Sequence, residues 1–385
     1  MLSKDINFKN FLNSKNNPNI KKDLENLLKN NLQIFETLKS TYKYSYSKKL
    51  ILEYKKFLNI RIIGMGGSIL GSEAIYNFLK KKIKKKVTFV NNLNSNASYF
   101  KDKNINLNLI ISKSGNTLET ISNVNTLIKK KDKNIIITEN KDNYLRSLAK
   151  DLEAEVVDHK NFVGGRYSVL SEVGMLPAEL MNLNEGNFKQ FNQLVKNKKF
   201  INNVINNVSA TLNLLKNGRY TSIILNYDEQ SESIFRWYQQ LIAESLGKKS
   251  QGILPIISSM PKDNHSLMQL YLDGPQKSFY TFFNVLENQD IKIRNKKILN
   301  SHKYLKNKSI EEIKQSQILA TKKVFMTKKI PFRSFVISRR NEQVLGELFC
   351  FFILETILLG RALNVNPFDQ PSVELIKKAT KKILS

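Results

Sequence analysis

Short apolar runs alternate with segments of helical period along most of this 385-residue chain, and that alternation restricts its fold more than any other feature. Arg61-Ile62-Ile63-Gly64 reads as a strand, followed by a helix from about 71 to 80. Val87 to Val90, Leu107 to Ser112, Ile135 to Thr138 and Glu155 to Val157 read as further strands, with a helix after Asn116. A helical stretch from about 174 to 216 follows, and then the alternation resumes. Ser222 to Leu225, Leu254 to Ile257, Ser278 to Val285 and Arg333 to Ile337 read as strands. One long helix ends at Ser245 and an apolar one near Gly360. Strands joined through helices make parallel sheets covered by those helices. The chain is too long for one small core, so two α/β domains are expected. The expected division is a helical N-terminal extension over 1–45, domains over 46–195 and 196–365, and a C-terminal segment over 366–385 ending in a short helix. The extension carries one amphipathic pattern, Leu24, Leu27, Leu28, Leu32, Phe35 and Leu38. The two halves could be one fold used twice, although no internal identity is visible.

Several polar clusters fall at the ends of the expected strands. Gly64-Met65-Gly66-Gly67-Ser68 follows the first strand and opens a helix, where backbone N–H groups can meet an anion. Ile69 stands where a dinucleotide fingerprint needs glycine, so that motif is absent. A plain tight turn explains the stretch equally well. Ser112-Lys113-Ser114-Gly115-Asn116-Thr117-Leu118-Glu119-Thr120 follows the third strand, at the carboxyl edge where open α/β sheets bind ligands. Ser112, Ser114 and Thr117 with helix-start N–H groups would cradle a phosphate. Asn116 and Glu119 also have the spacing of a capping box, which would leave Ser112 and Ser114 unexplained.

Gly164-Gly165-Arg166-Tyr167-Ser168-Val169 puts a permanent cation beside two residues that lack a Cβ. Such a pairing suits an anion, or charge that develops during a reaction. Gln240 and Glu244 are four apart and share one helix face; Gly247 ends that helix just beyond them. A plain surface Glu would look the same. His265 lies in Asp263-Asn264-His265-Ser266 and is one of three histidines; imidazole suits proton transfer near neutrality, and a structural role is the alternative. Asn366-Pro367-Phe368-Asp369-Gln370-Pro371-Ser372 turns into a helix that carries Lys377, which alone would pass for a surface lysine.

Composition closes off other classes. Leu348 to Leu359 is the longest apolar run, is interrupted by Glu355, and reads as a buried core helix rather than a membrane span. The N-terminus has no apolar core of a signal peptide, so a cytoplasmic location is expected. Cys350 is the only cysteine, which rules out an intrachain disulfide and a cysteine metal cluster. With so few histidines no metal site is expected either. The net charge of +29 suggests nucleic acid, but Lys, Asn and Ile are enriched throughout and no nucleic-acid-binding motif is present. The densest run, Lys80 to Lys86, reads as a solvated helix end or turn.

In their order along one chain these clusters resemble the phosphoglucose isomerase family, in its compact bacterial form. The matching stretches are Gly-x-Gly-Gly-Ser, Ser-Lys-Ser-Gly-x-Thr-x-Glu-Thr, Gly-Gly-Arg-Tyr-Ser-Val, Gln-x-x-x-Glu-Ser-x-Gly-Lys, Asn-His-Ser and Phe-Asp-Gln…Val-Glu-Leu-x-Lys, from Gly64 to Lys377. Asn116, Pro371-Ser372 and Ile376 depart from the family pattern. The resemblance implies two flavodoxin-like sugar-isomerase (SIS) domains and interconversion of glucose 6-phosphate and fructose 6-phosphate through a cis-enediol. It implies Glu244 as the base, Arg166 as the stabiliser of enediolate charge, and His265, from a neighbouring subunit of a homodimer, as the group that opens the ring. Lys377 would assist near the ring oxygen or O1. Ser112, Ser114 and Thr117 with the Lys113 backbone would hold the phosphate. Gly67 and Ser68 would line the sugar end, and Gln240 and Gln370 would bind sugar or phosphate oxygens. No metal, nucleotide or redox cofactor, nucleic acid or membrane partner is implied. A bifunctional glucose/mannose 6-phosphate isomerase and a non-catalytic sugar-phosphate-binding regulator with SIS domains are the alternatives.

Overall fold

A computed structural model describes residues 4–12, 17–93, 107–129, 132–286, 291–293, 298 and 300–385. Two five-stranded sheets organise it. The first contains β2 (Asn59–Gly64), β3 (Lys86–Val90), β4 (Leu107–Ile111), β5 (Lys133–Glu139) and β6 (Glu155–His159), in the order β3-β2-β4-β5-β6 and parallel throughout. The second contains β7 (Thr221–Asn226), β8 (Leu254–Ser259), β9 (Ser278–Val285), β10 (Phe332–Ile337) and β1 (Ile6–Lys9), in the order β1-β10-β9-β7-β8. Read from the other edge, β8-β7-β9-β10 repeats β3-β2-β4-β5 strand for strand. The chain therefore uses one α/β arrangement twice. Strands such as Leu107–Ile111 are buried along their whole length, as expected where helices cover both faces of a parallel sheet.

The N-terminal extension is not wholly helical. β1 pairs antiparallel with β10, Ile6 opposite Ile337 and Phe8 opposite Phe335, and so closes the edge of the second sheet. Ile6 and Phe8 are buried while Asn7 and Lys9 face out, the alternation of a half-covered strand. Phe8 packs on Phe335 with ring centroids 4.5 Å apart. The amphipathic pattern beyond it is also divided. α1 (Pro18–Lys29) buries Ile20, Leu24 and Leu27, and Gln33–Glu36 forms a separate short turn after Asn31, whose φ is +45°.

The two halves meet through the helix that follows the first strand of each repeat. α2 (Leu70–Phe78) packs against α5 (Glu232–Leu246), and Asn77 Nδ2 donates to Ser233 Oγ at 2.6 Å. Beside them, α4 (Lys198–Lys216) and α6 (Glu342–Ala362) fill the centre. α6 is long and apolar enough to cross a bilayer, yet 94% of its apolar window is buried inside the protein, so it is the core helix of the fold. It buries three acidic residues, Glu342, Glu347 and Glu355; Glu355 is paired with Arg333 and Glu342 with Lys82. The lysine run begins with the 3-10 turn Lys80–Lys82 and its lysines are exposed, Lys82 included, except for Lys85, which is buried with its Nζ donating to the Lys55 carbonyl. α7 (Val373–Leu384) ends the chain and buries none of its residues.

This topology positions the site. The crossover from β2 goes to β3 on one side, and that from β4 goes to β5 on the other. The crevice at the carboxyl ends of β2 and β4 is therefore a topological switch point, the place where open α/β sheets bind ligands. Gly64-Met65-Gly66-Gly67-Ser68 leaves β2 at that crevice, and Ser112 to Thr117 leaves β4.

Candidate active site

Arg166 is the centre of the polar network. The Gly164-Gly165 stretch leads into a 3-10 helix, Gly165–Leu170, that carries Arg166 inward until it is 2% exposed. Every N–H of its guanidinium has an acceptor. Nε donates to Ser245 Oγ at 2.8 Å, and Nη2 donates to the carbonyls of Pro367 (2.6 Å) and Asp369 (3.0 Å). Nη1 donates to Glu244 Oε1 at 3.0 Å and Gln370 Oε1 at 2.8 Å. A charge buried to this degree is tolerable only when it is paired and hydrogen-bonded, and both conditions are met here.

Glu244 stands in the last turn of α5, half-buried, with its other oxygen accepting from Gln240 Nε2 at 2.8 Å. The pair four residues apart therefore works as one unit, as its spacing predicts. Trp237, one turn further back, donates from Nε1 to the Arg166 carbonyl at 3.2 Å and ties helix to loop.

The Gly-Gly turn after β2 approaches the same cluster. Gly66 has a φ of +52°, and a Cβ on it would lie 2.9 Å from Gln240 Nε2. A Cβ on Gly67 would lie 2.1 Å from the Gly165 carbonyl carbon, so the two glycine stretches touch backbone to backbone. Ser168 Oγ lies 2.7 Å from the Gly165 carbonyl and 3.2 Å from the Gly67 carbonyl, so its one hydroxyl hydrogen sits between the two glycine stretches. Glycine is required here because no side chain fits between the loops.

In the second loop, Ser112 Oγ and Thr117 Oγ1 lie 2.9 Å apart, and Ser114 Oγ accepts from the Asn116 N–H at 3.2 Å. Thr117 is the N-cap of α3 (Leu118–Leu127) but makes no side-chain cap. The capping box suggested by Asn116 and Glu119 does not form, because Asn116 Oδ1 accepts from the Tyr144 N–H at 3.0 Å instead. The first-turn N–H groups of α3 are thus available to an anion, with the helix dipole behind them. The Lys113 side chain turns away, donating to the Asn161 carbonyl at 2.8 Å and pairing with Glu139 at 3.4 Å. Among the described residues, no group of three or more His, Cys, Asp or Glu side chains is arranged to hold a metal ion.

The sequence model of the phosphoglucose isomerase family matches residues 11–385. The chain belongs to the phosphoglucose isomerase family. It is 33% identical over 350 residues to the glucose-6-phosphate isomerase of Methanocaldococcus jannaschii, covering 83% of this chain and 82% of that one. It is 31% identical over 366 residues to a probable glucose-6-phosphate isomerase of Methanococcus maripaludis, covering 86% of this chain and 80% of that one. Among solved structures, a hypothetical protein of Thermus thermophilus superposes with a TM-score of 0.80 at 22% identity, over 96% of this chain and 95% of that one. A glucose-6-phosphate isomerase of Chlamydia trachomatis superposes with a TM-score of 0.70 at 19% identity, over 87% and 71%. These two likenesses establish the fold.

Within this phosphoglucose isomerase fold, Arg166, Glu244, Gln240, Gln370 and Gly67 come together. Two residues stand apart from them. His265 is exposed, at the end of the 3-10 turn Lys262–His265 beyond β8. That turn is held by Asp263, whose Oδ2 accepts from Ser258 Oγ (2.9 Å) and the Ser259 N–H (2.8 Å). Lys377 lies on α7 with its Nζ 2.6 Å from Glu374 Oε1, both side chains exposed. His159 ends β6 in a buried position that pushes its imidazole down to about 4, so it stays neutral at physiological pH.

Sequence reasoning missed the residues that hold the cluster still. Ser245 and Tyr167 sit behind Arg166. Lys248 Nζ donates to the Asn366 carbonyl and pairs with Asp369 at 2.8 Å, which holds the Asp369 carboxyl below its usual range. The signal was in the motifs themselves: Tyr167 stands in Gly-Gly-Arg-Tyr-Ser-Val, and Ser245 and Lys248 stand in Gln-x-x-x-Glu-Ser-x-Gly-Lys.

Proposed function

We propose that this chain interconverts glucose 6-phosphate and fructose 6-phosphate. The observation that carries the reading is the Arg166–Glu244 pair, a carboxylate and a fixed cation 3.0 Å apart in a member of the phosphoglucose isomerase family. The two archaeal relatives are named for this activity. In the proposed mechanism the phosphate is bound by Ser112, Ser114 and Thr117 with the Lys113 backbone N–H. Gly67, Ser68, Gln240 and Gln370 face the sugar. Glu244 takes the proton from C2 of the open-chain aldose, giving a cis-enediol, and returns a proton to C1. The hydroxyl proton passes from O2 to O1, so that the carbonyl moves from C1 to C2. Arg166 stabilises the negative charge that collects on these oxygens, the kind of fixed donor whose loss costs about 10²–10³ in rate.

His265 opens the ring from a neighbouring subunit in this reading, which fits its exposure in the single chain. Lys377 would join near the ring oxygen or O1. The working unit is then a cytoplasmic homodimer, and the chemistry assigns no metal or cofactor because protons move within one substrate. The test is proton NMR of the purified protein with fructose 6-phosphate in D₂O. The expected product is glucose 6-phosphate deuterated at C2. Binding without product or exchange would overturn the catalytic reading in favour of a sugar-phosphate sensor.

A further inference from the structure

We infer that Ser245 and Tyr167 are positioning residues for this reaction: they hold the Nε side of Arg166 so that its Nη1 side is presented to substrate. The inference rests on the isomerase reading above. The two sides of the guanidinium differ. Nε and one N–H of Nη2 point into the protein, onto Ser245 Oγ and the Pro367 carbonyl, while the other Nη2 N–H meets the Asp369 carbonyl at the edge of the cluster. Nη1 points to Glu244, 23% exposed, and to Gln370, in an exposed stretch of chain. A substrate oxygen can therefore displace a partner at Nη1 but not at Nε.

Ser245 is fully buried, and its hydroxyl lies 3.0 Å from Tyr167 Oη. Tyr167 Oη also lies 3.0 Å from the Pro367 carbonyl, which can only accept. The tyrosine hydrogen is therefore committed to Pro367. The serine hydrogen goes to Tyr167 Oη, and a serine lone pair is left facing Arg166 Nε. Burial pushes the Tyr167 phenol up to about 12, so it keeps this hydrogen across the working pH range. The result is a chain of fixed direction from Arg166 Nε–H through Ser245 and Tyr167 to Pro367. Ser245 also adjoins Glu244 on α5, so one helix turn sets both the base and the cation it works with.

Without Ser245 Oγ, the Nε–H is buried with no acceptor. The guanidinium must rotate to find one, and Nη1 moves with it. Ser245→Ala should lower kcat for fructose 6-phosphate by up to about 10²-fold, the cost of misplacing a catalytic group, with KM unchanged. Ser245→Cys fills the site, with a somewhat larger sulfur, but accepts a hydrogen bond poorly, so it should behave as the alanine variant does. Full activity of Ser245→Cys would show that packing alone matters and would overturn the proposal. Tyr167→Phe should lower kcat less, and should have no further effect in the Ser245→Ala background. Additive losses would overturn the ordered chain.

A second readout does not depend on turnover. The Arg166 Nε–H resonance, assigned with Arg166→Lys, should exchange slowly in the wild type and rapidly in Ser245→Ala. If the wild type fails to turn over substrate, the isomerase reading falls; equal exchange in the two proteins is what overturns the anchoring role.

Discussion

Arg166 Nη1 lies 3.0 Å from Glu244 Oε1, the cation almost fully buried and the carboxylate half-buried. Each member of this pair restricts the other. Glu244 is one of the two acceptors on the Nη1 side of a guanidinium whose remaining donors are fixed, and Gln240 holds its second oxygen. The carboxylate is thus oriented before substrate arrives. Glu244→Gln keeps the shape and an acceptor for Arg166 but cannot take a proton from carbon. Turnover of fructose 6-phosphate should fall by at least about 10²–10⁴-fold, the usual worth of a positioned base. Binding of the sugar phosphate, followed by thermal shift, should survive. Turnover near the wild-type rate would move the base elsewhere.

The loop after β4 should carry binding rather than chemistry. Thr117→Ala removes the partner of Ser112 Oγ, and Ser114→Ala removes an exposed hydroxyl beside it. A hydrogen bond to a charged group contributes about 1.5–3 kcal/mol. The double variant should therefore raise KM by tenfold or more and leave kcat nearly unchanged. Steady-state kinetics with both substrates would show it, and an unchanged KM would remove the phosphate from this loop.

The strands buried on both faces and the long central helix were legible because their residues are predominantly apolar, with single interruptions such as Asn108 and Glu355, and few other environments tolerate such runs. The Arg166–Glu244 pair was legible only through the order of the motifs, since no periodicity joins residues 78 apart in the chain. β1 was not, because Ile6-Asn7-Phe8-Lys9 shows its alternation over four residues, and its partner strand lies more than three hundred residues away. The break after α1 was hidden by apolar residues that keep helical spacing on through Leu38, while Asn31 takes the left-handed conformation open to asparagine. Lys377 shows the converse. Its motif names it, but α7 buries nothing in the single chain and the lysine pairs with Glu374.

Gly67→Ala tests the backbone contact between the two glycine stretches. The added methyl would lie 2.1 Å from the Gly165 carbonyl carbon and 2.5 Å from the Arg166 nitrogen, and backbone cannot yield as a side-chain tip can. Overpacking of this kind costs typically about 1–3 kcal/mol. Its larger effect should be on activity, because any retreat of Gly165 carries Arg166 with it. The expected result is a modest fall in Tm with loss of most turnover. A folded variant with wild-type kcat would show that the loop moves without disturbing Arg166.

Lys189 gives a pH dependence whose sign follows from its surroundings. Its ammonium is buried against the Thr37 and Leu170 carbonyls, with the rings of Tyr42 and Tyr44 each 5.0 Å away. Burial depresses it to about 7, against the opposing pull of the Glu185 and Glu172 carboxylates. The unfolded chain keeps its proton up to about 10.4. Between these values unfolding takes up a proton, so raising the pH disfavours unfolding. Lys189 therefore weakens the fold most below pH 7, and the penalty fades as pH rises through that window. In Lys189→Met this dependence is gone, while other titrating groups are common to both proteins. The stability of the wild type relative to Lys189→Met should rise steadily from about pH 7 to about pH 9 in denaturant unfolding. A flat difference would mean that Lys189 stays charged in the folded protein, held by its two carbonyls and two rings.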